Sequence, residues 1–242
     1  MPPLDSEIPG WERCSVHVAH RRHLRDAHRG LLDDREIERR RRYRLAADRD
    51  RFTLAAVLLR TVAGRAIGVD PAAVVIDRIC ESCGEPHGRP RLPGSGLEVS
   101  ISHSGHLVAV AVTAAGPVGV DIERVGVAHP DLASTVCAGS ELRHVHTAED
   151  FYAYWTRKEA VLKATGDGLR RPMTTVVVTP PTVPPTLISL DGRPGVAGRL
   201  ADLRLGGYAG AVAVLTGSNV VFDVADAHSI LPALRAQEGS SR

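Results

Sequence analysis

Phe52–Ile76 reads FTLAAVLLRTVAGRAIGVDPAAVVI, and Tyr154–Val178 reads YWTRKEAVLKATGDGLRRPMTTVVV. Moved by 102 positions, the first stretch lies over the second without a gap. Gly64 then meets Gly166, and Val74-Val75-Ile76 meets Val176-Val177-Val178. Leu54, Val57, Leu58 and Val62 recur at helical spacing, Gly64 to Pro71 supplies breakers, and an apolar strand-like run follows. The same displacement brings Ala109-Val110-Ala111-Val112 onto Ala211-Val212-Ala213-Val214, and Asp121 onto Asp223. An Ala/Val-rich chain yields one such match easily; two blocks on one ungapped offset point to an internal duplication. The fold expected is α+β, with two similar α+β halves related by a pseudo-twofold axis. The boundary falls near Gly116, giving halves of 1–116 and 117–242.

Outward from these blocks, Asp34–Gly64 reads as one or two helices and Phe151–Thr165 as another. Strands are expected at Leu97–Ile101, Leu107–Thr113, Val118–Glu123, Thr175–Thr179, Gly210–Leu215 and Val220–Val224, with a hairpin at Asp191-Gly192. Hydrophobic residues at 43% and charged residues at 24% suit a soluble globular chain. Met1–Glu12 has no apolar segment of the kind a signal peptide needs, and no apolar run is long enough to cross a bilayer. Four cysteines without a secretion signal fit a reducing, cytoplasmic setting. The tail from Gln237 is expected to fray.

The net charge is only +2, yet arginine crowds the first fifty positions and ends in Arg39-Arg40-Arg41-Arg42. Such a run by itself reads first as a solvated helix face, and otherwise as a patch for phosphate or an acidic protein. Of 30 basic residues only Lys158 and Lys163 are lysine. A compact, titratable ammonium differs chemically from a guanidinium fork, so their pairing draws notice.

Four motifs can carry chemistry. In Val118-Gly119-Val120-Asp121-Ile122-Glu123, strand alternation sends Val118, Val120 and Ile122 to a core and both acids to the other face. Paired carboxylates so placed either line an exposed edge or share a cation, and oxygen-only ligation suits Mg2+. On the helix, Trp155, Glu159 and Lys163 form an i, i+4, i+8 stripe with Lys158 adjacent. An i, i+4 ion pair is the simpler account of Glu159 and Lys163. Val99-Ser100-Ile101-Ser102-His103-Ser104-Gly105 is a strand end that reads as a turn or as a phosphate cradle; no G-x-S-x-G elbow is present. Cys80-Glu81-Ser82-Cys83 with His87 invites zinc, but a closed site wants a fourth ligand and no second pair exists. A tight loop delivering Arg89 is the expected role.

As an ordered set, Gly88-Arg89-Pro90, Ser102-His103-Ser104, Gly119-Val120-Asp121-Ile122-Glu123, and Trp155 with Lys158-Glu159-Ala160 and Lys163 resemble the Sfp-like family of 4'-phosphopantetheinyl transferases. The similarity runs from about Arg35 to Val178. It implies transfer of phosphopantetheine from coenzyme A to a serine of an apo acyl or peptidyl carrier protein, leaving 3',5'-ADP. Coenzyme A would lie between the halves, with Mg2+ held by Asp121, Glu123 and Glu159. Glu159 would take the serine proton, and Lys163 and Lys158 would meet the phosphates. Ser102 and His103 would contact coenzyme A, with Arg51 and Arg89 as further contacts and one unnamed arginine of Arg39–Arg42 for the ribose 3'-phosphate. Carrier proteins are typically acidic, so the basic N-terminal half is a reasonable docking surface; a monomer is expected. The shifted partners of Glu123 and Glu159 are Ala225 and Val57, so one metal site per chain is expected. A magnesium phosphohydrolase could use the same acids, but further acidic clusters for a second metal are missing. An arginine-rich nucleic-acid binder would need interleaved aromatics, which make up only 4% of the chain. Whether the carrier serves fatty-acid, polyketide or nonribosomal peptide synthesis is not written in the sequence.

Overall fold

A computed structural model describes residues 11–80, 83–127 and 130–232. The readings of a missing signal peptide and of a frayed tail fall largely or wholly outside these residues. In chain order come β1 (Trp11–His20), α1 (Asp34–Arg41), α2 (Ala46–Ile67), β2 (Glu98–Ser104), β3 (Leu107–Thr113) and β4 (Val118–Arg124). Then follow α3 (Pro130–Val136), α4 (Gly139–Leu142), α5 (Ala148–Thr165), β5 (Val176–Val178), β6 (Leu187–Leu190) and β7 (Arg193–Pro194). The last are β8 (Arg199–Asp202), β9 (Tyr208–Val214) and β10 (Asn219–Asp226). The mixture is α+β.

Three sheets form, ordered β10-β1-β3-β2, β4-β9-β8 and β5-β6-β7. The first two stack face to face between the two long helices. Along β3, Val108, Val110 and Val112 join a core with Leu54, Leu58 and Val62 of α2. Its alternate residues Ala109 and Ala111 join Val118, Val120, Ile122, Val212 and Val214 in the layer between the sheets. Along β9, Ala211 and Ala213 turn instead to Val161 and Leu162 of α5. Period-two alternation between two buried faces is why these strands read as unbroken Ala/Val runs.

The 102-residue displacement has structural counterparts. α2 begins at Ala46 and α5 at Ala148, and short 3-10 turns follow at Pro71–Ala73 and Met173–Thr175. The sheet order β1-β3-β2 is repeated as β4-β9-β8, with β1 and β4 each preceding the long helix of its unit. β10 departs from the pattern, since it leaves the second unit and pairs in parallel with β1, Trp11 opposite Asn219. Two expectations change. Val74–Ile76 is not a strand: Val74 is buried while Val75 is 71% exposed, and only an isolated bridge between Asp77 and Arg91 follows. β1 was not anticipated, although Cys14, Val16 and Val18 alternate with Arg13, Ser15 and His17 in the period of a half-buried strand and those three are buried. The Asp191-Gly192 hairpin is present, both residues having positive φ (52° and 72°).

Besides the β1–β10 pairing, the two units touch at β4. No backbone ladder joins it to β2; side chains do the joining. Ser100 Oγ accepts from Val120 N (3.1 Å), Ser102 Oγ from Ile122 N (3.2 Å) and Ser104 Oγ from Arg124 N (3.0 Å). Three hydroxyls at period two thus satisfy three edge amides at period two. On the other side β4 lies close upon α5. A Cβ at Gly119 would stand 1.9 Å from Ala160 O and 2.7 Å from Ala164 N. Both obstacles are helix backbone and cannot rotate away. Gly119→Ala should therefore cost more than the usual ~1–3 kcal/mol of overpacking. Thermal denaturation should show a large fall in Tm; an unchanged Tm would mean that the strand and helix are not in this contact.

Candidate active site

The close approach at Gly119 brings Asp121 and Glu123 of β4 beside Glu159 and Lys163 of α5. All four line one pocket of about 330 Å³, together with Ser102, His103, Trp155, Pro90 and Arg39. Lys163 Nζ donates to Asp121 Oδ1 (2.7 Å) and to Val120 O (3.1 Å). Ser102 Oγ donates to the same Asp121 oxygen (2.8 Å), and Ser104 Oγ donates to Glu123 Oε2 (2.6 Å). The serines that join the units therefore also aim the acids.

Two carboxylate oxygens are buried without a hydrogen-bond partner, Asp121 Oδ2 and Glu159 Oε2. Burial, then the charges of Asp121 and Glu123, push Glu159 up to about 7 against the opposing pull of Lys163. Burial also raises Glu123. Acids strained in this direction lack positive charge, and oxygen donors alone fit a hard divalent cation such as Mg2+. Their oxygens do not all lie within 4.8 Å of one another. Glu123 is turned to Ser104 and Asp121 to Lys163, as mutually repelling acids would be.

Beside this pocket lies a larger cavity of about 620 Å³. Arg39, Tyr43, Phe52 and Arg78 form walls of both. Within the arginine run, Arg39 and Arg42 line the larger cavity and Arg40 and Arg41 do not; Arg40 donates to Thr53 Oγ1 (3.0 Å), and Arg41 and Arg42 both meet Glu38 at 3.8 Å. A helix turns about 100° per residue, so neighbours in such a run must part company. Sequence reasoning did not find Arg78, Tyr43 or Phe52, and had no signal for them; Ser104 could have been found from its period with Ser100 and Ser102.

Several expected contacts are relocated. Lys158 is fully buried and pairs with Glu141 Oε2 (2.5 Å), also donating to Met173 O. It immediately precedes Glu159 in the sequence but projects to a different side of α5, out of the pocket. Burial lowers its pKa, and Glu141 opposes that. Arg51 donates to Gly105 O (3.0 Å) and pairs with Asp48, so it braces the β2–β3 turn. The Arg89 guanidinium packs about the C-terminal glycine of α5, where a Gly166 Cβ would meet it at 3.6 Å. Neither arginine is among the pocket's lining residues. Ser102 lines the pocket, yet its hydroxyl is engaged with Asp121 and Ile122 N, so it positions the acid from behind. His103 stands at the pocket mouth, its pKa held down by partial burial and by Arg51 and Lys163. Among the described residues no helix is long and apolar enough to cross a membrane.

A family model described as the 4'-phosphopantetheinyl transferase superfamily matches residues 117–213, a span holding Asp121, Glu123, Glu159 and Lys163. 4'-Phosphopantetheinyl transferase HetI of Nostoc sp. is 34% identical over 164 residues, covering 64% of this chain and 68% of that protein. A 4'-phosphopantetheinyl transferase of Bacillus subtilis is 32% identical over 143 residues, 56% of this chain and 61% of its own length. Sfp of Bacillus subtilis is 27% identical over 150 residues, 59% of this chain and 64% of its own length. The chain thus spans slightly less than two thirds of both Bacillus proteins. With the matched residues converging on one pocket, the chain belongs to the 4'-phosphopantetheinyl transferase family and is an enzyme of that type.

Proposed function

We propose that the chain moves the phosphopantetheine arm of coenzyme A to a serine hydroxyl of an apo carrier protein, releasing 3',5'-ADP, in a magnesium-dependent reaction. The observation that carries this reading is the meeting of Asp121, Glu123, Glu159 and Lys163 in one pocket, with Arg39 and Arg78 in its wall and in that of the larger cavity beside it. The pocket has the donors for a hard cation, and the cavity has room for a nucleotide, which would meet Arg39, Arg42 and Arg78 among the acids Asp33, Asp34, Glu36, Glu38 and Glu85 of the same lining.

Asp121, Glu123 and Glu159 would hold the magnesium, which supplies charge neutralisation and in-line orientation at the transferring phosphoryl group. Ser102 and Lys163 hold Asp121 through Oδ1, leaving Oδ2 for the cation. Lys163, a quarter exposed, also has ammonium hydrogens to offer a phosphate oxygen. Glu159 accepts the serine proton, directly or through a water. Lys163 lies nearby and favours the ionised form of Glu159, so the proton passes on to solvent and the carboxylate is regenerated. Arg39, Arg42 and Arg78 are the chain's cations for the nucleotide phosphates, and His103 guards the open side. The carrier approaches there, and its acidic character suits the basic residues of the N-terminal half.

The decisive experiment is mass spectrometry of apo carrier proteins incubated with the chain, coenzyme A and Mg2+. The expected result is addition of one phosphopantetheine arm, abolished by EDTA and reduced at least ~100-fold by Asp121→Ala or Glu159→Gln. Release of 3',5'-ADP with no carrier present and no modified carrier would replace transfer by hydrolysis. A second measurement isolates the cation. In EDTA, Glu159→Gln should melt above the parent chain, because a neutral amide replaces a buried acid oxygen without a partner. Mg2+ should raise the parent's Tm by several degrees, at about 2–4 °C per kcal/mol for a chain of this size, and leave the variant nearly unmoved. Equal Mg2+ shifts in both proteins would remove Glu159 from the metal site.

A further inference from the structure

The loop between Asp77 and Arg91 holds chemistry that the carboxylate pocket does not use. Among the described residues, one group of three metal-ligand side chains has its donor atoms all within 4.8 Å of one another: Cys80, Cys83 and His87. Cys83 Sγ lies 3.0 Å from His87 Nε2. None of the three lines the carboxylate pocket.

Backbone geometry, rather than side-chain packing, brings them together. Asp77 and Arg91 exchange both hydrogen bonds (3.0 and 2.8 Å), and Gly88 N donates to Arg78 O (2.7 Å). Further out, Cys80 N donates to Glu85 O (2.9 Å), and Gly84 N turns back on Cys80 O (2.8 Å). That last bond needs Gly84 at φ +76°, a conformation other residues adopt at a cost. Gly88 leaves no room for a side chain, since a Cβ would stand 2.8 Å from Ile79 O. The loop has no core to stabilise it: Ile79 is 53% exposed, and residues 83–87 are exposed. A segment so short and so poorly buried gains much from a metal staple.

We propose that Cys80, Cys83 and His87 bind one zinc ion, leaving a fourth position for an exchangeable ligand. Zn–S near 2.3 Å and Zn–N near 2.0–2.1 Å place tetrahedral donors about 3.6–3.8 Å apart. The cluster's donor atoms, all within 4.8 Å of one another, come within about 1 Å of that spacing, and the Cys83–His87 contact has to open by only about half an ångström. Two thiolates balance the dication, which matters beside Arg39, whose Nη1 donates to Pro86 O (3.5 Å) on the same loop. Soft sulfur donors favour zinc over magnesium, so the two sites select different ions. Glu85, Pro86 and His87 wall the larger cavity, so the zinc fixes the shape of that wall.

The test uses the full chain, isolated under reductant without a polyhistidine tag. Its zinc content by atomic emission, with excess Mg2+ present, should be about one per chain. Cys83→Ser and His87→Ala should lose it; Cys137→Ser and Asp121→Ala should keep it. Replacing zinc by cobalt should give the intense visible bands of a tetrahedral ion and a thiolate charge-transfer band, both absent from Cys83→Ser. Amide exchange across residues 78–91 should slow at least tenfold on zinc addition. Zinc retained in Cys83→Ser, affinity weaker than about 1 μM after reconstitution, or a Cys80–Cys83 disulfide in the reductant-isolated protein would overturn the proposal. Because Asp121→Ala keeps the zinc while losing transfer, failure here and failure of the transferase reading are separable.

Discussion

The contact on which the structure depends is the ladder of Ser100, Ser102 and Ser104 against the free edge of β4. A backbone pairing in its place would have left no side chain at the joint. With hydroxyls there, each group accepts an amide hydrogen and still has a hydrogen to donate, and two of the three donate to Asp121 and Glu123. One set of atoms therefore closes the seam between the two units and orients the acids within it. Gly119 acts from the opposite side, letting α5 approach until Glu159 and Lys163 reach the same pocket.

The helix α5 illustrates how one element can serve two chemistries. Trp155, Glu159 and Lys163 line the pocket, while Arg157 and Lys158 point into the protein. Arg157 is bound to Asp202 and to the carbonyls of Thr179, Pro180 and Val183. Lys158 is bound to Glu141. Buried charges of this kind are costly to strand, so each is surrounded by acceptors. The first unit has its own example in Arg60, held by Glu36, Asp33 and Val74 O. These cations hold outlying segments to the helices and take no part in the pocket.

Much of this was readable from the chain alone. The helices were visible because their apolar residues recur at 3.6, and the duplication because Phe52–Ile76 and Ala109–Val112 fall on Tyr154–Val178 and Ala211–Val214 at one offset of 102; α2 and α5 begin 102 residues apart. The acids were visible because strand alternation and helical spacing each fix a side. What escaped was set by tertiary contact. Nothing in the sequence near Lys158 announces Glu141 as its partner, and nothing near Arg89 announces Gly166. β1 was legible in the alternation of Cys14, Val16 and Val18 with Arg13, Ser15 and His17, but its place between β10 and β3 is set by tertiary pairing. The run Arg39–Arg42 could not be resolved into facing and averted members without knowing where α1 lies.

The parallel pairing of β1 with β10 has a temporal consequence. Cys14 and Phe222 are register partners, as are Val18 and Asp226, so the first sheet lacks its outer strand until synthesis has passed Asp226. Contacts so distant along the chain are among the slowest to form. Closure of that sheet is consequently a late event, and the first unit waits on the second: β10, encoded after the second, is the strand that completes the first.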